Sequence, residues 1–461
     1  MEHDELTTKE LLELEAEYCS YGDTVHYLKD PIIFKRCDGS WMFDLDERPY
    51  LDMQMWYSAV NFGYRNREIE EAHNRQMAML PQVASQYLHK EKILLSATIA
   101  KETGKRFGKK GRVHFNVGGA QAIEDSIKVV RNFKHGKSLM FAFMGGYHGR
   151  TLAATEITSS FRYRKRFGHF ANRATFIPFP YCYRCFYEKD RKTCDYYCVK
   201  EFERLFETEY YGVIDTKDNE VEYAAFFVEP LQATGGYIVP PPEYFKRLEQ
   251  VLKKYNILLV DDEIQMGFYR TGKLWAMEHF GATPDIVAFA KSLTNGLNPL
   301  SGLWAREELI TPQMFPPGST HSTFSSNPLG TAAGLAAMKY MKTANLEEVV
   351  PEKGAYLLSR LKDLQKKYPV IGDVDGLGLA IRVEMTKADG FTPNRELTDA
   401  IFQEGMAGNI RLNGQEYGLV LDVGGYHKNA FTLAPALTIS YEEMDLFIGF
   451  FEALIKKCAA C

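Results

Sequence analysis

The sequence predicts an α/β protein whose larger part is a mostly parallel sheet with helices on both faces. Three observations predict it. Short apolar runs of strand length recur between about residues 80 and 330, with helical runs between most of them. The best of these runs are continuously apolar, as strands covered on both faces are. Two of them end in chemistry-bearing residues, acids after one and a lone lysine after the other, at the sheet end where ligands of open α/β folds gather.

Residues 1–75 read as a helix followed by short strands. MEHDELTTKELLELEAEY is acidic and helical in pattern, and Thr7 and Glu10 are spaced as a capping box. Strands are expected at Ile32–Phe34, Trp41–Asp44 and Tyr50–Asp52, the first two joined by the turn Asp38-Gly39-Ser40. Residues 76–330 form the large domain. Its strands are expected at Val113–Phe115, Leu139–Phe143, Thr175–Ile177, Ala224–Val228, Ile257–Val260, Ile286–Phe289 and Leu303–Ala305, with a helix from Ala122 to about Phe133. Residues 331–461 form a smaller α+β domain. It holds helices at about 330–343, 351–367 and 441–457, and strands at Gly378–Val383, Leu419–Leu421 and Thr432–Leu433.

Composition narrows the function classes. The 461 residues are 45% apolar and 25% charged, ordinary for a globular protein with ample core. A net charge of −5 gives no reason to expect nucleic acid or a membrane surface as partner. No apolar run approaches a membrane span, and the acidic N-terminus is not a secretory signal, so a cytoplasmic protein is expected. Cys182, Cys185, Cys194 and Cys198 have spacing that resembles a zinc site. Reduced thiols or local disulfides account for them equally, and no metal is assigned.

The most informative stretch runs from Ile257 to Leu300. The apolar run Ile257–Val260 is followed by Asp261, Asp262 and Glu263, and the run Ile286–Ala290 by Lys291. A carboxylate and a lysine at the ends of two strands suit pyridoxal phosphate. The amine can join the aldehyde, and the acid can keep the pyridine nitrogen protonated.

DDEIQMGFYRTG followed by PDIVAFAKSLTNGLNPLSG resembles the class III (subgroup II) aminotransferases, of the 4-aminobutyrate and ω-amino-acid type. That resemblance implies pyridoxal-phosphate fold type I, aspartate-aminotransferase-like, with residues 1–75 belonging to the small domain. It implies pyridoxal 5′-phosphate as cofactor, with Lys291 and Asp262 as catalytic residues and Gln265 beside them. GGAQAIEDSIKVVR matches the family's phosphate loop, which makes Gly119 and Ala120 backbone donors at a helix N-terminus. Gln121 stands where an acid is usual. GGYHGRT implies Tyr147 against the pyridine ring and Arg150 as a receptor for the substrate's distal acid group. Glu229 of VEPLQ orders the surrounding network. Trp56 lies where relatives line the substrate pocket. HSTFSSNPL implies that Ser322 and Thr323 reach the phosphate of a partner subunit, making a homodimer obligatory.

Two departures bear on the substrate. Many relatives carry a glutamate and an arginine that together manage the α-carboxylate; Thr234 and Thr432 stand at those places here. Losing both avoids leaving one buried charge uncompensated. Arg150, Arg162, Arg164, Arg166, Arg411 and Lys428 are the candidate replacement cations. The resemblance therefore implies transfer of an amino group from an ω-amino acid or related amine (GABA, β-alanine, lysine or taurine type) to pyruvate or 2-oxoglutarate. The alternative is a racemase or epimerase of the same family, which needs no oxo acid. A non-catalytic binding protein on the same fold is disfavoured by intact Asp262, Lys291, Gln265 and Tyr147.

Overall fold

The computed structural model describes residues 6–22, 27–167, 170, 173–412 and 414–459. Its centre is a seven-stranded sheet. The strands lie in the order 111–116, 301–306, 286–289, 258–262, 223–228, 139–143 and 174–177. All run parallel except Ser301–Arg306, which is antiparallel to both of its neighbours. Each of the seven expected strands is present, so the fold is α/β as the apolar runs imply. The reversed strand was not legible, because a buried strand has the same composition in either direction.

Alternation along these strands builds two cores. Leu259, Phe141, Phe226, Val287 and Phe289 enter one apolar cluster. Leu258, Val260, Met140, Ala142, Phe227, Ile286 and Ala288 enter a second, with Ile123 and Ile127 of the helix Gly119–Phe133. Both faces of the sheet are thus removed from water, which is why the runs are apolar throughout. The same alternation sorts the acids at the strand end. Asp262 shares a face with Leu258 and Val260, toward the helix 119–133; Asp261 and Glu263 take the other face.

The chain's two ends share one sheet. Its order is 34–38, 41–44, 49–52, 415–420 and 410–412, with Gln415–Val420 parallel to Pro49–Asp52. The expected hairpin is present, with Asp38 opposite Trp41, but its first strand is Phe34–Asp38 rather than 32–34. A further sheet has the order 371–377, 380–385, 430–433 and 423–424. Helix Thr8–Tyr18 carries the expected capping box, Thr7 Oγ1 accepting from Glu10 N and Thr7 N donating to Glu10 Oε2; Met1–Glu5 lie outside the described residues. Helix Leu346–Lys367 begins before Pro351, which lies inside it rather than at its start. The strand Ile371–Leu377 and the helix Arg395–Met406 were not anticipated. No described helix is long and apolar enough to cross a membrane.

Asp261 and Glu263 make one testable feature of this core. Both are fully buried, and neither Asp261 oxygen nor Glu263 Oε2 finds a hydrogen-bond donor. Burial, reinforced for Asp261 by the neighbouring carboxyls, raises both pKa values above the ordinary carboxylate range. A proton shared between them satisfies the pair. Groups raised in this way add stability that is complete below the ordinary carboxylate pKa and is lost as pH rises through the folded value. Asp261→Asn is therefore expected to flatten the fall in stability between pH 5 and 8, and to gain about 1–2 kcal/mol at pH 8. Urea unfolding of both proteins at several pH values measures this; parallel pH profiles would rule the shared proton out.

Candidate active site

Lys291 follows the strand Ile286–Phe289, and its backbone is left-handed, with φ of 46°. A non-glycine residue in that region costs free energy and persists only where its surroundings dictate it. Lys291 Nζ donates to Gln265 Oε1 at 2.6 Å, and Gln265 Nε2 donates to Tyr237 Oη at 2.8 Å. Burial pushes the ammonium down to about 8, against the opposing charges of Asp262, Glu229 and Asp422. A neutral amine is therefore accessible at ordinary pH, as a nucleophile and proton carrier needs.

Asp262 is held by His148, whose Nδ1 lies 2.7 Å from Asp262 Oδ2, while Ile264 N donates to Oδ1 at 3.1 Å. Burial opposes charge on His148, but its hydrogen bond to Asp262 and the charges of Asp262 and Glu229 prevail and raise its pKa. Glu229, buried and pushed up to about 7 by that burial, accepts from Tyr147 N at 2.8 Å and Ala233 N at 2.9 Å. It thereby fixes the turn that carries Tyr147. His148 stands between Tyr147 and Gly149 in the GGYHGRT motif, and nothing local in the sequence reveals its partner.

The helix Gly119–Phe133 starts at the edge of this group, three residues earlier than its periodicity indicated. The amides of Gly119 and Ala120 belong to its first turn and have no intrahelical acceptor. A Cβ on Gly119 would stand 3.2 and 3.3 Å from carbons of Ile264 and 3.6 Å from Ala290 Cβ. Glycine lets the helix end come near the neighbours of both Asp262 and Lys291 without displacing the Ile264 side chain. On its other side Ala120 meets Gly149, where a Cβ would stand 2.6 Å from Ala120 Cβ. Gln121 Oε1 accepts from Gly118 N at 3.0 Å and Val117 N at 3.3 Å, so an amide oxygen orders the loop without a carboxylate.

Beside Lys291 opens a large cavity lined by Tyr147, Arg150, Arg162, Tyr163, Gln265 and Lys291, and further by Trp56, Tyr57, Thr234, Asp422 and Lys428. Tyr147 meets Tyr163 edge-on, with centroids 5.1 Å apart. The guanidinium carbons of Arg150 and Arg162 lie 4.5 and 4.6 Å from the Tyr163 centroid. Of the six candidate cations, Arg150, Arg162 and Lys428 line the cavity. Arg164 instead sits by Phe170 and Phe176, and Arg411 is paired with Glu416 on the surface. Arg166 is not part of the lining either.

Trp56 and Tyr57 reach the cavity through an unusual backbone. Met55, Trp56, Tyr57 and Ser58 have φ of 44°, 57°, 56° and 65°, a single turn of left-handed helix. Such a turn costs about 1–2 kcal/mol per residue. Asp52 offsets this: its Oδ1 accepts from Gln54 N at 2.7 Å and Met55 N at 2.8 Å, and Tyr64 Oη donates to Oδ2 at 2.8 Å. Tyr64 is thus one of the supports. The Trp56 ring leans on Gly296, where a Cβ would come within 3.1 Å.

Ser322 and Thr323 are not part of this lining, and Thr323 and Phe324 face outward. The four clustered cysteines are free thiols around a separate small pocket. Burial pushes Cys182 up to about 11 and Cys198 up to about 12. Among the described residues, no group of three or more His, Cys, Asp or Glu side chains is placed to hold a metal ion.

Comparison with known proteins places the chain in one family. The family model described as Aminotransferase class-III matches residues 24–455. The leucine/methionine racemase of Thermococcus litoralis is 32% identical, over 90% of this chain and 88% of its own. The taurine–pyruvate aminotransferase of Bilophila wadsworthia is 32% identical over 95% of each chain. Among solved structures, an (S)-enantioselective ω-transaminase from Thermomicrobium roseum superposes with a TM-score of 0.85 at 28% identity, covering 98% of this chain and 99% of the other.

Proposed function

Because the chain belongs to the class-III aminotransferases, pyridoxal-phosphate-dependent enzymes, we propose that it transfers the amino group of an ω-amino acid or related amine to a 2-oxo acid. The carrying observation is the pair of guanidiniums, Arg150 and Arg162, placed about Tyr163 in the cavity that Lys291 lines.

The residues present fit the cofactor. Gly119 and Ala120 offer free amides at a helix N-terminus for its phosphate. Asp262, held by His148, offers a fixed negative charge for a protonated ring nitrogen, Tyr147 an aromatic face, and Gln265 a hydrogen-bonding amide. Bound there, pyridoxal phosphate supplies an electron sink for charge that develops at the carbon bearing the amino group. Lys291 Nζ would hold the cofactor and would carry the proton taken from the substrate carbon. Arg150, Arg162 and Lys428 receive the acid group of donor and acceptor in turn, a carboxylate or a sulfonate fitting the guanidinium fork equally.

Transfer to the half-reaction gives the test. Mixed with β-alanine or taurine and no acceptor, the holoenzyme should lose its long-wavelength cofactor absorbance. In the double variant Arg150→Ala, Arg162→Ala the donor concentration giving half-maximal conversion should rise about 10- to 100-fold. Conversion of plain propylamine should change by less than about threefold, since it has no acid group to lose a partner. Equal losses for both donors would rule out the assigned acid receptor.

A racemase reading is favoured by the Thermococcus relative. The same mixing separates the two: a racemase exchanges the α-hydrogen of an amino acid with solvent deuterium while its absorbance persists. We further infer a homodimer. Tyr87, Leu88 and Phe324 are large side chains facing outward, on two segments joined by the Ser85–His321 and His89–Ser326 hydrogen bonds. This supports Ser322 and Thr323 completing a partner's phosphate site. Cys19, Cys37, Cys182, Cys185, Cys194 and Cys198 are free thiols, which supports a reducing, cytoplasmic setting.

A further inference from the structure

Asp422 lies in the same cavity as Lys291, and the site chemistry described so far does not use it. It sits between the strands Gln415–Val420 and Val423–Gly424. Thr432 fixes it twice: the buried hydroxyl donates to Asp422 Oδ2 at 2.5 Å, and Thr432 N donates to the Asp422 carbonyl at 3.1 Å. Thr432 belongs to the inner strand Ala430–Leu433, so this support is rigid. Burial raises the carboxyl pKa; the Thr432 hydroxyl, then Lys428, Gln54 and Lys291, act against that rise. Lys428, which lines the same cavity, lies within range of the charges of Arg162, Asp422 and Arg395. A carboxylate thus stands in the cavity, fixed by Thr432 and hydrogen-bonded by the Gln54 side chain.

The cavity therefore carries two kinds of charge. Arg150, Arg162 and Lys428 serve one anionic group. Asp422 lines the same cavity as Lys291, on the strand connection that Thr432 fixes. A substrate with a single acid group can turn that group to the cations and offer Asp422 a neutral or hydrogen-bond-donating part. A dicarboxylate has a second anion to place, and in a partly desolvated cavity its repulsion from a fixed carboxylate is on the order of tenfold or more in affinity.

We propose that Asp422 is a specificity-determining residue that excludes dicarboxylic oxo acids, making the acceptor a monocarboxylic 2-oxo acid with a small uncharged side chain. This rests on the aminotransferase reading, and it selects the pyruvate class over the 2-oxoglutarate class. It also explains why the carboxylate is anchored by a buried strand rather than left on a loop: a repulsive element acts only if it cannot swing away.

Binding without turnover tests it. Propionate and glutarate, the unreactive counterparts of the two acceptor classes, are titrated into the holoenzyme, and the perturbed cofactor absorbance gives a Kd for each. Wild type should bind propionate more tightly than glutarate. Asp422→Asn, which keeps the shape and the Thr432 hydrogen bond, should tighten glutarate about tenfold while propionate moves less than about threefold. Wild-type preference for glutarate, or an unchanged Kd ratio in Asp422→Asn, would overturn the proposal. Should the variant not fold, the wild-type ratio alone decides. Failure of the aminotransferase reading looks different: no amine donor converts the cofactor, whatever the two Kd values are.

Discussion

Lys291→Ala is expected to give a protein that folds, loses the long-wavelength cofactor absorbance, and releases its cofactor on gel filtration. Amino transfer should fall by about 10⁴-fold or more, because one residue is proposed to serve both as the covalent anchor and as the proton carrier. The structure gives the reason for its singular position. Lys291 is held in a left-handed conformation at the end of a buried strand, with its amine on Gln265 at 2.6 Å. Its pKa, lowered to about 8 chiefly by burial, adds a pH signature. The rate at which wild-type apoprotein takes up pyridoxal phosphate should climb through about pH 8 and then level, as the neutral fraction of the amine saturates. Uptake that keeps rising toward the ordinary lysine range, or an absorbance band retained in Lys291→Ala, would remove Lys291 from its assigned place.

Asp262→Asn has the second largest expected effect. The variant keeps the shape of the side chain but not the charge that a protonated ring nitrogen requires, so turnover should drop about 10³-fold with less change in cofactor affinity. The second readout is His148. In the wild type, the hydrogen bond and charge of Asp262 overcome the cost of burial and raise the imidazole pKa. A raised histidine contributes stability that is complete below its unfolded pKa of about 6.5 and is lost as pH rises through the folded value. Removing the Asp262 charge should abolish that contribution. Stability curves of wild type and Asp262→Asn should therefore converge above the folded His148 pKa and separate below it, with the wild type the more stable. Curves that stay parallel would show that the pair does not hold a shared charge.

The legible parts of the protein have one property in common: their information is local in sequence. Asp262 and Lys291 each end an apolar run, so the strand that places each of them is written directly beside it. The hairpin turn, the Thr7–Glu10 box and the glycine pair at the helix start are equally short-range. Errors fell where competition between local signals is settled elsewhere. Pro351 marks a helix start by its own chemistry, yet the helix runs through it from Leu346. The segment Met55–Ser58 has no glycine to announce a left-handed turn; Asp52 and Tyr64 impose it.

The sequence by itself determined the fold class and the cofactor and marked the two residues proposed to carry the chemistry, because strand periodicity and motif spacing lie within a few dozen residues. Only the tertiary structure decided which cations line the cavity, that His148 backs Asp262, and that a carboxylate stands there. Arg150, Arg162, Arg164 and Arg166 are alike in sequence, and packing against Tyr163 or against Phe170 and Phe176 separates them. Asp422 lies in an unremarkable stretch, and its meaning comes from the Thr432 hydroxyl and from Lys291 across the cavity. Charge acts through space, so a residue's electrostatic role is fixed only when the fold has chosen its neighbours.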